Sequence, residues 1–168
     1  VDVGVRFRKV RFLASRYDDS GVIIADDDPL IRSVLRSKLE GLGQKVFVAK
    51  DGLQAVDLAW RARAALILLD FSMPNMNGLE ACRHIRASPF NATTPVVALT
   101  GLNVENIEAA ALRAGVTLFL NKPIGMAQLL GVLSRYLPLD ESTRRSVAAS
   151  AARANEIDKM SPRRQEIG

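Results

Sequence analysis

Between residues 22 and 137 the apolar positions follow two alternating rhythms. Short stretches at 22–25, 45–49, 65–69, 95–99 and 116–120 are apolar at nearly every position, the pattern of strands covered on both faces. Between them, apolar residues recur every three or four positions, as on one helix face. Leu30, Ile31, Val34, Leu35, Leu39 and Leu42 form the first such set, and Ala55, Val56 and Ala59 the second. Leu79, Cys82 and Ile85 form the third, and Met126, Leu129, Leu130, Leu133 and Leu137 the last. The spacing predicts helices over 29–42, 52–63, 79–88, 103–114 and 126–137. Their ends carry matching chemistry. Asp28 and Asp51 are N-cap residues, and Pro29 suits a first helical position. Gly43 stops the first helix, Asn103 caps the fourth, and Gly115 is its natural C′ residue.

Five strands alternating with five helices predict an α/β fold, because each strand–helix–strand unit makes a right-handed crossover between parallel strands. The expected architecture is a doubly wound five-stranded parallel sheet in the flavodoxin-like order 2-1-3-4-5, with helices on both faces. This domain is expected over 21–138. Residues 1–20 form an extension in which Val3, Val5 and Phe7 alternate with Gly4, Arg6 and Arg8, as in an extra edge strand. Residues 139–168 are an Ala-, Arg- and Ser-rich tail, in which Val147, Ala148, Ala151, Ala152 and Ala154 predict a weak helix before a disordered end.

The polar residues of interest all follow a strand. Asp26 and Asp27 follow the first, Asp70 the third, Thr100 the fourth and Lys122 the fifth. In a parallel sheet these strand ends open on one edge, where open α/β folds bind ligands. Three carboxylates brought together repel one another unless a cation neutralises them, and Mg²⁺ needs only two or three carboxylates plus water. A carboxylate beside Mg²⁺, a lysine and a hydroxyl is suited to attack a phosphoryl group, with the cations holding the transferring oxygens.

Composition narrows the alternatives. No apolar run is long enough to span a bilayer, and no secretory block opens the chain, so a cytoplasmic setting is expected. One cysteine, Cys82, cannot make an intrachain disulfide or a cysteine-based zinc site. The net charge of +5 is spread thinly, with five basic and three acidic residues in 1–20, twelve and ten in 21–138, and six and five in 139–168. That leaves no concentrated basic block for nucleic acid. Walker, GxGxxG, GxSxG and HExxH sequences are all missing. The one histidine, His84, follows Glu80 at i,i+4 spacing, which predicts a surface pair.

Four segments together resemble the receiver domain of bacterial two-component response regulators. They are Val-Ile-Ile-Ala-Asp-Asp-Asp-Pro, Leu-Ile-Leu-Leu-Asp-Phe-Ser-Met-Pro-Asn-Met-Asn-Gly, Val-Val-Ala-Leu-Thr-Gly and Phe-Leu-Asn-Lys-Pro. The resemblance covers about 21–137 and implies a role for each position. Asp70 matches the phosphoacceptor, Asp27 the direct Mg²⁺ ligand, and Asp26 the residue that orients metal-bound water. Ser72 would lend the metal its backbone carbonyl. Thr100 matches the switch hydroxyl, Lys122 the ion-pairing lysine and Phe119 the switch aromatic. Pro123 matches the family's cis-proline. Leu30 and Ile31, at the start of the first helix, are the expected docking residues for a partner. Structural readings stand beside these: Asp28 as a helix cap only, and Leu30, Ile31 and Phe119 as core. Ala25 departs from the family's more usual valine, and the two appendages have no counterpart in a minimal receiver.

The resemblance implies a phosphorylation-controlled switch rather than a turnover enzyme, charged by a histidine kinase or a histidine phosphotransfer protein. Its output face, and the surface for a homodimer, would be the fourth helix, fifth strand and fifth helix. Chain continuity through Pro138 predicts that the tail helix leans on that face, or on the same face of another subunit. A receiver segment of a hybrid sensor kinase fits the same residues. The reading from a different class is a phosphatase or hydrolase with Asp70 as nucleophile. Haloacid-dehalogenase-like enzymes want a second carboxylate two residues on, and here Ser72 stands there.

Overall fold

The computed structural model describes residues 20–101 and 108–137, with positions 139, 141, 144, 145, 148, 149 and 152 of the tail. Five strands alternate with five helices: β1 (Gly21–Ala25), α1 (Pro29–Gly41), β2 (Val46–Ala49), α2 (Gly52–Arg61), β3 (Ala64–Asp70), α3 (Gly78–Arg86), β4 (Val96–Thr100), α4 (Glu108–Arg113), β5 (Leu118–Asn121) and α5 (Met126–Tyr136). All strand pairs are parallel, and the sheet order is β2-β1-β3-β4-β5. This is the expected doubly wound arrangement.

Alternate residues of each strand point to opposite layers. Ile23, Ile67, Leu69, Val96 and Ala98 meet Ala55, Ala59, Ala81, Cys82, Ile85 and Ala111, from α2, α3 and α4. Val22, Ile24, Leu66, Leu68, Val97 and Leu99 meet Leu35, Leu39, Leu129, Leu130 and Leu133, from α1 and α5. Both faces are therefore covered, which is why the strand sequences show no polar alternation. Each buried Leu or Ile here contributes about 1.5–3 kcal/mol over its exposed state.

Element ends follow local chemistry. Asp28 Oδ1 accepts the Leu30 and Ile31 amides at 2.8 and 3.4 Å, and Asp51 Oδ1 accepts Gln54 N–H at 2.9 Å. Asn77 caps α3 through the Glu80 amide at 2.9 Å, a role its place in the turn sequence concealed. Strand β5 starts at Leu118, two residues later than the apolar run implies. The cause is the end of α4. Gly115 takes φ 95°, its amide bonds to Leu112 O, and the Val116 amide returns to Ala111 O, so Val116 belongs to a Schellman closure. Helices α2 and α3 each stop two residues short of expectation. Ala62 is already extended, and Ser88 Oγ instead donates to Ala59 O at 2.8 Å. The expected Asn103 cap and the expected strand in 1–19 lie outside the described residues.

A buried polar knot joins α2, β3 and the α3–β4 connection. Asn91 is fully buried, accepts from Ala64 N–H and Thr94 Oγ1, and donates to the carbonyls of Ala59 and Ala62. Arg86 donates to Gly115, Asn91 and Thr94 carbonyls. Asn91→Ala should therefore strand several buried groups. The expected cost is about 2 kcal/mol, read as a lower urea midpoint with an unchanged slope.

At the tail, Leu139 is buried against the α1–α5 layer. The described positions Glu141, Arg144, Arg145, Ala148, Ala149 and Ala152 are helical, and they are exposed. No helix among the described residues is long and apolar enough to cross a membrane.

Candidate functional site

Strand register brings the polar residues to one level. Ala25 pairs with Leu69, Asp70 with Leu99, and Thr100 with Asn121. Asp26 and Asp27 thus leave β1 beside Asp70, while Lys122 leaves β5 beside Thr100. Lys122 N–H donates to the Thr100 carbonyl at 2.8 Å, which fixes the start of the lysine's reach across β4 toward β3 and β1. Its Nζ stands 2.7 Å from Asp26 Oδ2 and 2.9 Å from Asp70 Oδ2.

Carboxylate oxygens of Asp26, Asp27 and Asp70 all lie within 4.8 Å of one another. Asp26 is fully buried and Asp70 is 2% exposed, whereas Asp27 faces solvent. Each buried carboxylate is oriented by backbone. Asp26 Oδ1 accepts Asp28 N–H at 2.9 Å, and Asp70 Oδ1 accepts Ser72 N–H at 3.1 Å. Arg32 holds the β1–α1 turn from the helix side, donating to the Asp26 carbonyl at 2.6 Å. Asp26 Oδ2 faces the Lys122 ammonium at 2.7 Å, so the lysine's charge lies directly against this buried oxygen.

Burial pushes the Asp70 carboxyl above the ordinary carboxylate value. The Lys122 contact and the Ser72 amide pull against this, and the Asp26 charge adds to it. Burial also works against the Lys122 ammonium, but its contacts with Asp26 and Asp70 outweigh that, and Lys122 titrates above an ordinary lysine. Three carboxylates whose oxygens lie within 4.8 Å of one another, one of them exposed to solvent, fit a hard divalent cation with oxygen ligands.

The other residues singled out by the sequence occupy distinct places. Thr100 is buried at the tip of β4. Phe119 is half-buried and meets Phe71 edge-on, with centroids 6.1 Å apart and planes at 79°. Since Phe71 follows Asp70, this aromatic pair abuts the pocket from the α2–α4 side. Ser72 is exposed. Leu30 is 69% exposed, so it is not core, while Ile31 is half-buried. Both line a groove of about 220 Å³ with Val34, Lys38, Pro123 and Ile124. The Lys122–Pro123 bond is cis. The expected Glu80–His84 pair is not among the ion pairs of the described residues. The His84 carbonyl instead accepts the Trp60 indole N–H at 3.2 Å.

The family profile described as "Response regulator receiver domain" matches residues 22–134. The chain belongs to this family. The receiver is 35% identical over 109 residues to the response regulator MprA of Mycobacterium sp. (strain KMS), a match covering 65% of this chain and 46% of that protein. It therefore spans under half the length of that relative. Among solved structures it is similar to the receiver domain of the sensor histidine kinase PA1611 of Pseudomonas aeruginosa, crystallised with magnesium coordinated in the active site cleft. Identity is 33%, TM-score 0.64, and coverage 70% of this chain and 96% of that one. It also resembles the response regulator Ssk1 receiver–Ypd1 histidine phosphotransfer co-crystal from Saccharomyces cerevisiae, at 25% identity and TM-score 0.61, covering 71% and 92%. This receiver carries the acidic triad at the same sheet edge that its fold uses for ligands.

Proposed function

We propose that this receiver is a phosphorylation-controlled switch whose phosphoacceptor is Asp70. The observation that carries the reading is a single ammonium, Lys122, held between two buried carboxylates beside a third, exposed one. Asp26, Asp27, Asp70 and the Ser72 carbonyl would hold Mg²⁺, as magnesium in the cleft of the Pseudomonas neighbour supports. When bound, the ion supplies neutralisation of the phosphoryl oxygens. One Asp70 carboxylate oxygen attacks phosphorus in line and forms the new O–P bond. The donor's N–P or O–P bond breaks, and the leaving group takes up a proton from solvent. Lys122 pairs with the oxyanion that develops, and Thr100 donates its hydroxyl to the phosphoryl group. Phe119 then turns inward and repacks the α4–β5–α5 face, which serves output and a homodimer contact. The chain is a phosphoacceptor without dedicated turnover; a hydrolase reading lacks its second acid, since Ser72 occupies that position.

The donor is a phosphohistidine on a kinase or phosphotransfer protein, docked on Leu30 and Ile31. The yeast neighbour, solved with such a phosphotransfer protein, supports that class of partner. The test mixes a radiolabelled phosphohistidine phosphotransfer domain with this chain. Label should move to the chain, and Leu30→Asp should slow that transfer at least about tenfold by placing a charge in an apolar contact. Labelling by a small phosphodonor should stay unchanged in that variant. Equal transfer rates would remove Leu30 from the interface, and no transfer from any phosphohistidine donor would end the reading.

A further inference from the structure

The β3–α3 connection carries Asp70 at one end and Ser72 close by, yet its apex is fastened to an element outside the pocket. Asn75 sits at that apex with φ 66°, a left-handed conformation unusual for a residue with a side chain. Its Nδ2 donates to Asp51 Oδ2 at 3.2 Å. Asp51 is only 5% exposed and uses its other oxygen to cap α2. Beside it, Gly52 lets the loop come close, because a Cβ there would overlap the Met76 carbonyl oxygen. The polar bonds at the loop's ends stay close to β3: Ser72 N–H to Asp70 Oδ1, and Gly78 N–H to Phe71 O. Asp51 is therefore the anchor that ties the apex to α2.

We propose that Asp51 is a positioning residue for the divalent-cation site: through Asn75 it fixes the loop that presents the Ser72 carbonyl. This rests on the phosphoacceptor reading above. Asp51 is outside the acidic triad. It acts by holding backbone in place before the cation arrives, as outer-shell partners of metal ligands do.

The experiment measures Mg²⁺ affinity by calorimetry on the full chain, with amide exchange of residues 72–77 in Mg²⁺-free buffer as a second readout. Asp51→Ser keeps a good α2 cap but is too short to reach Asn75. Asn75→Gly removes the amide from the other side, accepts the left-handed backbone and changes no charge. Each should weaken Mg²⁺ binding about tenfold and speed exchange in the loop. Combining them should add nothing further, since one bond is lost in either case. Asp51→Asn controls for charge: it keeps the cap and can still pair with Asn75 once that amide turns over, so its affinity should stay within about twofold of wild type. Unchanged affinity in Asn75→Gly, or effects that multiply in the double variant, would overturn the clamp. A fall in urea midpoint with unchanged affinity and loop exchange would reduce Asp51 to a helix cap and overturn it as well. A wild-type chain that binds no Mg²⁺ would overturn the phosphoacceptor reading and this inference with it, and that outcome is visible before any variant is made.

Discussion

Asp70→Asn should reduce phosphoryl incorporation from acetyl phosphate and Mg²⁺ to background, a loss of at least about a thousandfold, where the wild-type chain takes up one acid-labile group. The carboxamide keeps the shape of the strand tip but offers no anionic oxygen to attack phosphorus. Asp26 cannot substitute, because it is fully buried and its Oδ2 faces Lys122. Asp27 is exposed but lies outside the two-carboxylate contact of Lys122. Because burial holds the Asp70 carboxyl above the ordinary carboxylate value, the labelling rate should fall on acidification at a higher pH than for an exposed aspartate. Intact-mass measurement after a timed incubation reads both effects. Equal labelling of the variant, or a wild-type rate indifferent to Mg²⁺, would move the acceptor elsewhere.

Lys122→Met should cost about 3 kcal/mol of folding stability at pH 8 in Mg²⁺-free buffer, because it leaves two buried carboxylates facing each other without a cation. The sign of the pH dependence follows from the two shifts. Lys122 titrates above an ordinary lysine in the folded chain. Its stabilisation is thus complete below the ordinary lysine value and is lost only as pH climbs through the raised one. Asp70 is also raised. Its favourable contribution is present below the ordinary aspartate value and is lost as pH rises through the raised value, so at neutral pH the ionised form opposes folding. Acidification through Asp70's folded value should therefore restore part of what Lys122→Met removes. Urea unfolding at pH 5 and pH 8 measures the difference. An equal loss at both would show that packing of the lysine stem, rather than charge, holds the strand tips together.

The alternation of buried runs with helical periodicities is enough to read a parallel α/β sheet, because covering both faces of such a sheet leaves continuous apolar strands; the strand order is one of the two common doubly wound choices. The strand-tip residues are legible as a set: one polar residue after a buried run is an ordinary strand end, but Asp26, Asp27, Asp70, Thr100 and Lys122 follow four strands that open on one edge. What stayed hidden depends on long-range contact. Asn91 lies between the predicted third helix and fourth strand, and nothing in its neighbourhood shows that it serves Ala59, Ala62 and Ala64 at once. Asp51 was readable as a cap from its local position, but its second oxygen bonds a side chain 24 residues away. Arg32 gave one helical polar position among several, and only the folded turn turns it toward the Asp26 carbonyl. The late start of β5 has no signal in the sequence, because the apolar run continues through Val116, a residue that the helix terminus claims.

The polar groups of the pocket come from strands β1, β3, β4 and β5, and none lies near another in sequence except Asp26 and Asp27. Lys122 reaches its two partners across almost the full span of the fold. Bringing such distant segments together carries a loop-closure cost that only the assembled sheet repays. A fragment holding β1 to β3 would own all three carboxylates but not Lys122, and a chain with β5 undocked would be no better. On the phosphoacceptor reading proposed above, competence to take up a phosphoryl group would be a readout of complete folding, and a partly unfolded receiver would fall silent instead of sending a false signal.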